Sequence, residues 1–269
     1  GVAKRERVIA GGARYPGDIV ILVGGSTGRD GLHGVTFASR VLAEESDEDR
    51  PAVQVGDPLL KNIIIEATLG AIETGKVRGL KDLGGGGLTC AVSEMAYDGE
   101  TGMDIDISKI RLRESGMVPY EIMLSESQER MLLAVPKKNL PEVLQIFRRE
   151  EVEATPIGKF TDNGVLILEY QGEGVAEIDI DFLFEPPTAK QVATWVSPDY
   201  KEPSFKEPEN LTSNFLEILS QPNIASKESV IRTYDHEVKG NTAIKPLQGR
   251  YAGPNDAAIL KPLNNSWKG

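Results

Sequence analysis

The chain has 269 residues, 40% of them hydrophobic, and a formal charge of −11, enough apolar material for one large domain or two smaller ones. A pI near 4.9 with no basic stripe excludes broad nucleic-acid binding, since nothing offsets phosphate repulsion. One cysteine, Cys90, and two histidines exclude an internal disulfide and a cysteine-built zinc cage, and argue against a histidine-rich metal centre.

The chain opens on GVAKRERVIAGGARYPGDIVILVGG without an initiator methionine, already heading into strand-like residues, so a processed or truncated piece is expected. No run of about eighteen apolar residues and no signal-peptide pattern is present, which predicts a cytoplasmic protein with no membrane partner. Asp18 to Val23 is an apolar, β-branched run between Pro16-Gly17 and Gly24-Gly25, the pattern of a buried strand. GGSTGRDGLHG follows from Gly24 to Gly34. Gly25, Thr27, Gly28 and Arg29 directly after a strand are candidates for an anion cradle. The stretch lacks the lysine of a P-loop and the glycine spacing of a dinucleotide fingerprint, and a plain glycine-rich turn competes with the cradle.

The acids from Glu44 to Asp49 read as a solvated loop. A short strand is predicted at Val53-Gln54-Val55, then a helix with Asp57 as N-cap and Pro58 in its first turn. Leu60, Ile63, Ile64, Ala67 and Ala71 form its core face, and Gly75 ends it. Val77 to Leu83 is the next strand and delivers Asp82 to its end, where the quartet Gly84 to Gly87 begins. Glycines let backbone approach a ligand without a Cβ in the way, and an acid beside bare amides suits a metal-bridged phosphate. A flexible loop with Asp82 as a simple cap is the competing reading.

A helix over Leu88 to Tyr97 then buries Cys90 as a small hydrophobe. Thr101 to Ser108 alternates as a half-buried strand with Asp104 and Asp106 facing water. A helical stretch after Pro119 packs Ile122, Met123 and Leu124 inward, and Ser125-Glu126-Ser127-Gln128 leads into a strand from Arg130 to Val135. Glu126 accepts, while Ser127 and Gln128 both donate and accept, a mixture that suits a polar small molecule or an ordinary helix-to-strand turn. A helix over Leu140 to Phe147 precedes strands at Thr155–Phe160, Val165–Tyr170 and Glu177–Ile180, with Asp162-Asn163-Gly164 as a turn between the first two. From Glu185 the chain is rich in proline and charge, a linker or extended arm, with short helices predicted at Asn210–Ser220 and Ser226–Glu237.

The stretches GGSTGRDGLHG, PAVQVGDPLLKNIIIEA, GLKDLGGGGLTCAVSEMA, GMVPYEIMLSESQERML and YDHEVKGNTAIKPL resemble the phosphoribosylformylglycinamidine synthase (formylglycinamide ribonucleotide amidotransferase) family, in particular the synthetase subunit of its small, multi-subunit form. The match runs in order across nearly the whole chain. It implies an α+β fold, a mixed sheet with packed helices like the C-terminal α/β domain of the aminoimidazole ribonucleotide synthetase superfamily, plus an extended C-terminal arm. It implies residues 1–17 as the end of a preceding domain, 18–185 as a substrate- and magnesium-binding domain, and 186–269 as a linker and the start of a second half.

The activity implied is a carbon–nitrogen ligation with glutamine as amido donor. ATP phosphorylates the amide oxygen of formylglycinamide ribonucleotide, and ammonia from a glutaminase subunit displaces phosphate. A small accessory subunit is a further implied partner, and Mg2+ and ATP are the implied cofactors. Gln54, Glu126, Ser127 and Gln128 match substrate contacts, and Asp82 matches a magnesium ligand. No catalytic protein nucleophile is implied. The family is longer and built from two related halves, and its amino-terminal histidine motif and second-half nucleotide segment have no counterpart here. The expectation is therefore a central fragment carrying one wall of the site, folded but inactive alone. The alternatives are another synthetase of the same superfamily and a non-catalytic module that docks a glutaminase.

Overall fold

The computed structural model describes residues 4–5, 8–39, 52–233 and 236–268. It divides into a larger unit over Lys4–Lys190 and a smaller one from Gln191 onward. Among the described residues no helix is long and apolar enough to cross a membrane.

The larger unit is built on a seven-stranded mixed sheet. Its strands are β1 (Ile19–Gly24), β2 (Gly79–Asp82), β3 (Gly102–Asp106), β4 (Arg130–Val135), β5 (Ala154–Thr161), β6 (Val165–Tyr170) and β7 (Glu173–Asp179), in the spatial order β2-β4-β1-β5-β3-β6-β7. Neighbours are antiparallel except β3 and β6, which run parallel. The central β1 reads as an unbroken apolar run because both sheet faces are covered there. Val20 and Leu22, paired with Ala134 and Leu132, join the core beneath α3 (Gly87–Gly99) and α4 (Pro119–Leu124). Ile21 and Val23 alternate to the other face and pack with Leu133 and Val135 against α2 (Pro58–Glu73) and α5 (Leu140–Arg149). Phe147 on α5 is fully buried in that second core, a position where truncation to alanine costs roughly 3–5 kcal/mol. The expected α+β class with a mixed sheet is the one observed.

Local chemistry sets the helix that leads away from the site. The Asp57 side chain accepts from the Leu60 amide at 2.9 Å and Pro58 needs no donor in the first turn, so α2 starts where the sequence places it. Ile64, Ala67 and Ala71 form its buried stripe, while Glu66 and Glu73 lie on the wet side.

Four expectations are corrected. Val53 to Val55 is not a strand: both valines are exposed, and among the described residues its backbone contact is the bond from the Gly31 amide to the Val53 carbonyl at 3.1 Å. Asp162 to Gly164 does turn the chain, but β3 inserts between β5 and β6, pairing antiparallel with the first and parallel with the second. The hairpin is instead β6–β7, which begins at Glu173 and closes over Gln171-Gly172, both at positive φ, the conformation a tight two-residue turn requires. Cys90 is half-buried rather than buried. The helix expected over Ser226–Glu237 shrinks to α8 (Glu228–Ile231), with Tyr234 and Asp235 outside the described residues. The acidic stretch Glu44–Asp49 also lies outside them.

A short α1 (Gly34–Ala38) follows the first glycine loop, and α6 (Ile180–Phe184) closes the larger unit. In the smaller unit, residues from Gln191 to Pro208 have no regular structure and are almost wholly exposed. They precede α7 (Leu211–Ser220), capped by Asn210 onto the Ser213 amide at 3.1 Å. Two short ladders pair β8 (Thr242–Ile244) with β11 (Ile259–Leu260) and β9 (Leu247–Gln248) with β10 (Gly253–Pro254).

Candidate functional site

The turn between α4 and β4 places Glu126 with only 2% of its surface exposed. A carboxylate withdrawn from water is costly unless donors replace the lost hydration. Three stretches distant in sequence supply them. The Gly86 amide reaches Oε1 at 3.0 Å and the Val35 amide at 3.3 Å, while Gln54 Nε2 donates to Oε2 at 2.5 Å. Close approach is what the glycines provide. A Cβ on Gly34 would lie 2.4 Å from Glu126 Oε2, and one on Gly87 (φ +57) would lie 2.0 Å from the Ser125 carbonyl oxygen. The glycine quartet and the Ser125–Gln128 turn therefore abut backbone to backbone.

Behind Glu126 the turn is pinned from inside. Ser127 is fully buried; its hydroxyl donates to Asp30 Oδ1 at 2.5 Å, accepts from the Gly28 amide at 2.9 Å and lies 3.1 Å from Ser125 Oγ. Arg130 is 3% exposed and donates to the carbonyls of Ser127 (2.8 Å) and Ser125 (2.6 Å) and to Thr27 Oγ1 (2.9 Å). Burial pulls its guanidinium down to about 10, against the opposing pull of Asp30, and it stays charged at neutral pH. Gln128 Nε2 folds back onto the Glu126 carbonyl at 2.9 Å. Glu129, at positive φ, accepts from the Asp57 amide at 3.2 Å and pairs with Lys61 at 2.8 Å, fastening the start of α2 to the same turn.

Asp82 stands at the exposed end of β2, and its side chain makes no hydrogen bond among the described residues. The amides of Gly84 and Gly85 beside it are also without a backbone partner there, and α3 begins at Gly87. Among the described residues no group of three or more histidine, cysteine or acidic side chains converges. That donor set fits magnesium better than a metal needing an all-protein cage, because Mg2+ keeps its waters and binds through one or two carboxylates plus substrate phosphate. Asp82 is the free carboxylate; both oxygens of Glu126 are already engaged.

The structure thus joins Gln54 directly to Glu126, and joins Gly28 to Ser127. The amides of Gly25, Thr27, Gly28 and Arg29, expected as an anion cradle, are engaged within the protein. They donate to the Glu129 carbonyl (3.0 Å), the Arg111 carbonyl (2.9 Å), Ser127 Oγ (2.9 Å) and Glu114 Oε1 (2.9 Å), leaving none for a phosphate. The Arg29 guanidinium forms a two-pronged contact with Glu121 (2.8 and 3.0 Å) and reaches Glu114 (3.1 Å) and the Gly116 carbonyl (2.9 Å). It buckles two loops together instead of facing a ligand. Asp30 and Arg130 are absent from the sequence-derived site; their only signal was charge flanking glycine- and serine-rich turns. Cys90 lies against Gly86, where a Cβ would be 2.4 Å from its sulfur. Burial, then Glu94 and Glu126, push its thiol pKa up, which lowers its thiolate fraction.

A family profile described as "AIR synthase related protein, C-terminal domain" matches residues 15–171. The phosphoribosylformylglycinamidine synthase subunit PurL of Methanothermobacter marburgensis is 45% identical over 263 residues, covering 97% of this chain and 36% of that protein. The chain therefore spans about a third of the length of the curated relatives it matches. The structure of T. maritima PurL complexed with FGAR is similar, with TM-score 0.68 and 30% identity over 90% of this chain and 38% of that one. T. maritima PurL complexed with ATP gives TM-score 0.64 and 27% identity, covering 91% and 36%.

Proposed function

Because the chain belongs to the family of AIR synthase related proteins, matching its C-terminal domain over residues 15–171, we propose that it forms the substrate- and magnesium-binding wall of an ATP-dependent amidoligase of purine biosynthesis. The reaction is conversion of formylglycinamide ribonucleotide to the amidine through a phosphorylated amide that ammonia attacks. The observation that carries this reading is the convergence of Gln54, Gly86 and Val35 on the buried Glu126, with Asp82, whose side chain makes no hydrogen bond among the described residues, four positions ahead of Gly86.

In this reading the protein's part is positioning. The Gln54 amide, held by Glu126, offers its carbonyl oxygen to a polar group of the ribonucleotide. The Gly84 and Gly85 amides, in the loop ahead of α3, are available to an anionic group. Asp82 would hold the magnesium ion, which supplies charge neutralisation on phosphate oxygens. Holding the reactants in line in a preorganised polar setting accounts for such a phosphoryl transfer and displacement without a protein nucleophile. ATP as phosphoryl donor, the glutaminase and small accessory subunits as partners, and a cytoplasmic setting complete the reading. So does the division into residues 1–17, 18–185 and 186–269, with the middle part carrying the wall.

The test is to incubate this chain with Mg2+, ATP, ammonia and formylglycinamide ribonucleotide while following both binding and product. The expected result is ribonucleotide binding without turnover. Amidine formation by this chain alone would sink the assignment of one wall only, and absence of any binding would sink the site itself.

A further inference from the structure

We propose that Asp30 is a positioning residue which sets the Glu126 turn through Ser127, and that the Ser127 hydroxyl is an internal latch rather than a ligand contact. Four consecutive residues of the first glycine loop are each tied to a neighbouring turn. Thr27 accepts from Arg130, Gly28 donates to Ser127, Arg29 grips Glu121 and Glu114, and Asp30 accepts from Ser127. The Ser127 hydroxyl has one proton and two lone pairs. It gives the proton to Asp30 at 2.5 Å, accepts from the Gly28 amide at 2.9 Å and faces Ser125 Oγ at 3.1 Å. With no exposed surface, it has nothing left to offer a ligand.

Asp30 in turn is nearly enclosed, with 11% of its side chain exposed. Oδ1 takes Ser127 and Arg113 Nη1 (3.3 Å), and Oδ2 is buried without a hydrogen bond among the described residues. Its charge bears on the buried Arg130, whose guanidinium holds the carbonyls of Ser125 and Ser127, the residues on either side of Glu126. Fixing both neighbours fixes the direction in which Glu126 meets Gly86 and Gln54. The consequence for a ligand rests on the proposed function above; the positioning itself does not.

Backbone amide exchange by NMR on this chain separates the two. The Gly86 amide donates to Glu126 and touches neither Asp30 nor Ser127, so it reports their influence at a distance. Asp30→Ala and Ser127→Ala should each lower its protection about tenfold, with no further loss in the double variant. Asp30→Asn, which keeps an acceptor for Ser127, should restore most of it. Leu132, at the sheet centre, should keep its protection throughout. Unchanged Gly86 protection in Ser127→Ala or Asp30→Ala overturns the proposal, as do additive losses or a loss that Leu132 shares in full. Formylglycinamide ribonucleotide affinity, measured on the same samples, judges the ligand reading separately: failure of the unaltered chain to bind would leave the exchange result standing.

Discussion

Gly87→Ala is the substitution that most directly strikes the contact between the glycine quartet and the Glu126 turn. Gly87 has φ +57, and an added Cβ would sit 2.0 Å from the Ser125 carbonyl oxygen, 2.9 Å from its carbon and 3.0 Å from the Met123 oxygen. Favourable contact begins near about 3.5 Å, so the backbones would have to part by well over an ångström. A left-handed alanine costs roughly 1–2 kcal/mol, and forcing atoms into a packed region adds about 1–3 kcal/mol. The expected loss is thus about 2–5 kcal/mol, a fall in Tm on the order of 5–15 °C for a unit of this size. Gly84→Ala is the control, since its nearest atom would be Asp82 Oδ2 at 3.9 Å. Urea unfolding followed by circular dichroism compares the two. If Gly87→Ala lay within about 1 kcal/mol of Gly84→Ala, close to the noise between ordinary surface substitutions, the backbone-to-backbone contact would be refuted.

Arg130→Met should cost about 3–5 kcal/mol in urea unfolding, because it removes three buried hydrogen bonds at once and a buried charge that Asp30 faces. Asp82→Asn should leave the unfolding midpoint within about 0.5 kcal/mol of the unaltered chain yet abolish any magnesium dependence of ribonucleotide binding, read by calorimetry with and without the ion. The Arg29 hydrogen bonds hold the Glu121 carboxyl below its ordinary 4.5, and the Arg29 amide followed by its side chain does the same for Glu114. A depressed carboxylate contributes stability above its unfolded pKa and loses it as pH falls through the folded value. Melting temperature should therefore drop as pH falls below about 4.5, and Glu114→Gln with Glu121→Gln should flatten that acid limb.

How much of this was legible depended on whether the signal was local. β1 could be read because its apolar run is bounded by glycines, and α2 because its cap and first-turn proline are adjacent in sequence. Glu126, Gln54 and Asp82 were singled out as stretches of mixed polarity beside glycines, and the first two do meet. The β5–β6 turn misled because Asp162-Asn163-Gly164 dictates a reversal and says nothing about which strand lies alongside; a third strand entered between them. Val53 to Val55 alternates like a strand, yet no described neighbour pairs with it in a ladder. The first glycine loop looked like an anion cradle for the same reason: sequence shows that amides are unobstructed by side chains, not that Glu129, Arg111, Ser127 and Glu114 will use them. Arg130 and Asp30 were hidden because charged residues are usually solvated, and only the fold reveals a buried one.

The most direct test of the proposed ribonucleotide site is a calorimetric titration of formylglycinamide ribonucleotide, in the presence of Mg2+, into the unaltered chain and into Gln54→Ala. Gln54 is exposed and meets Glu126 through its amide, so its truncation perturbs the site without emptying the core. Binding by the unaltered chain, weakened about tenfold or more in Gln54→Ala at unchanged melting temperature, is the predicted result. Equal affinity in the two would contradict the account.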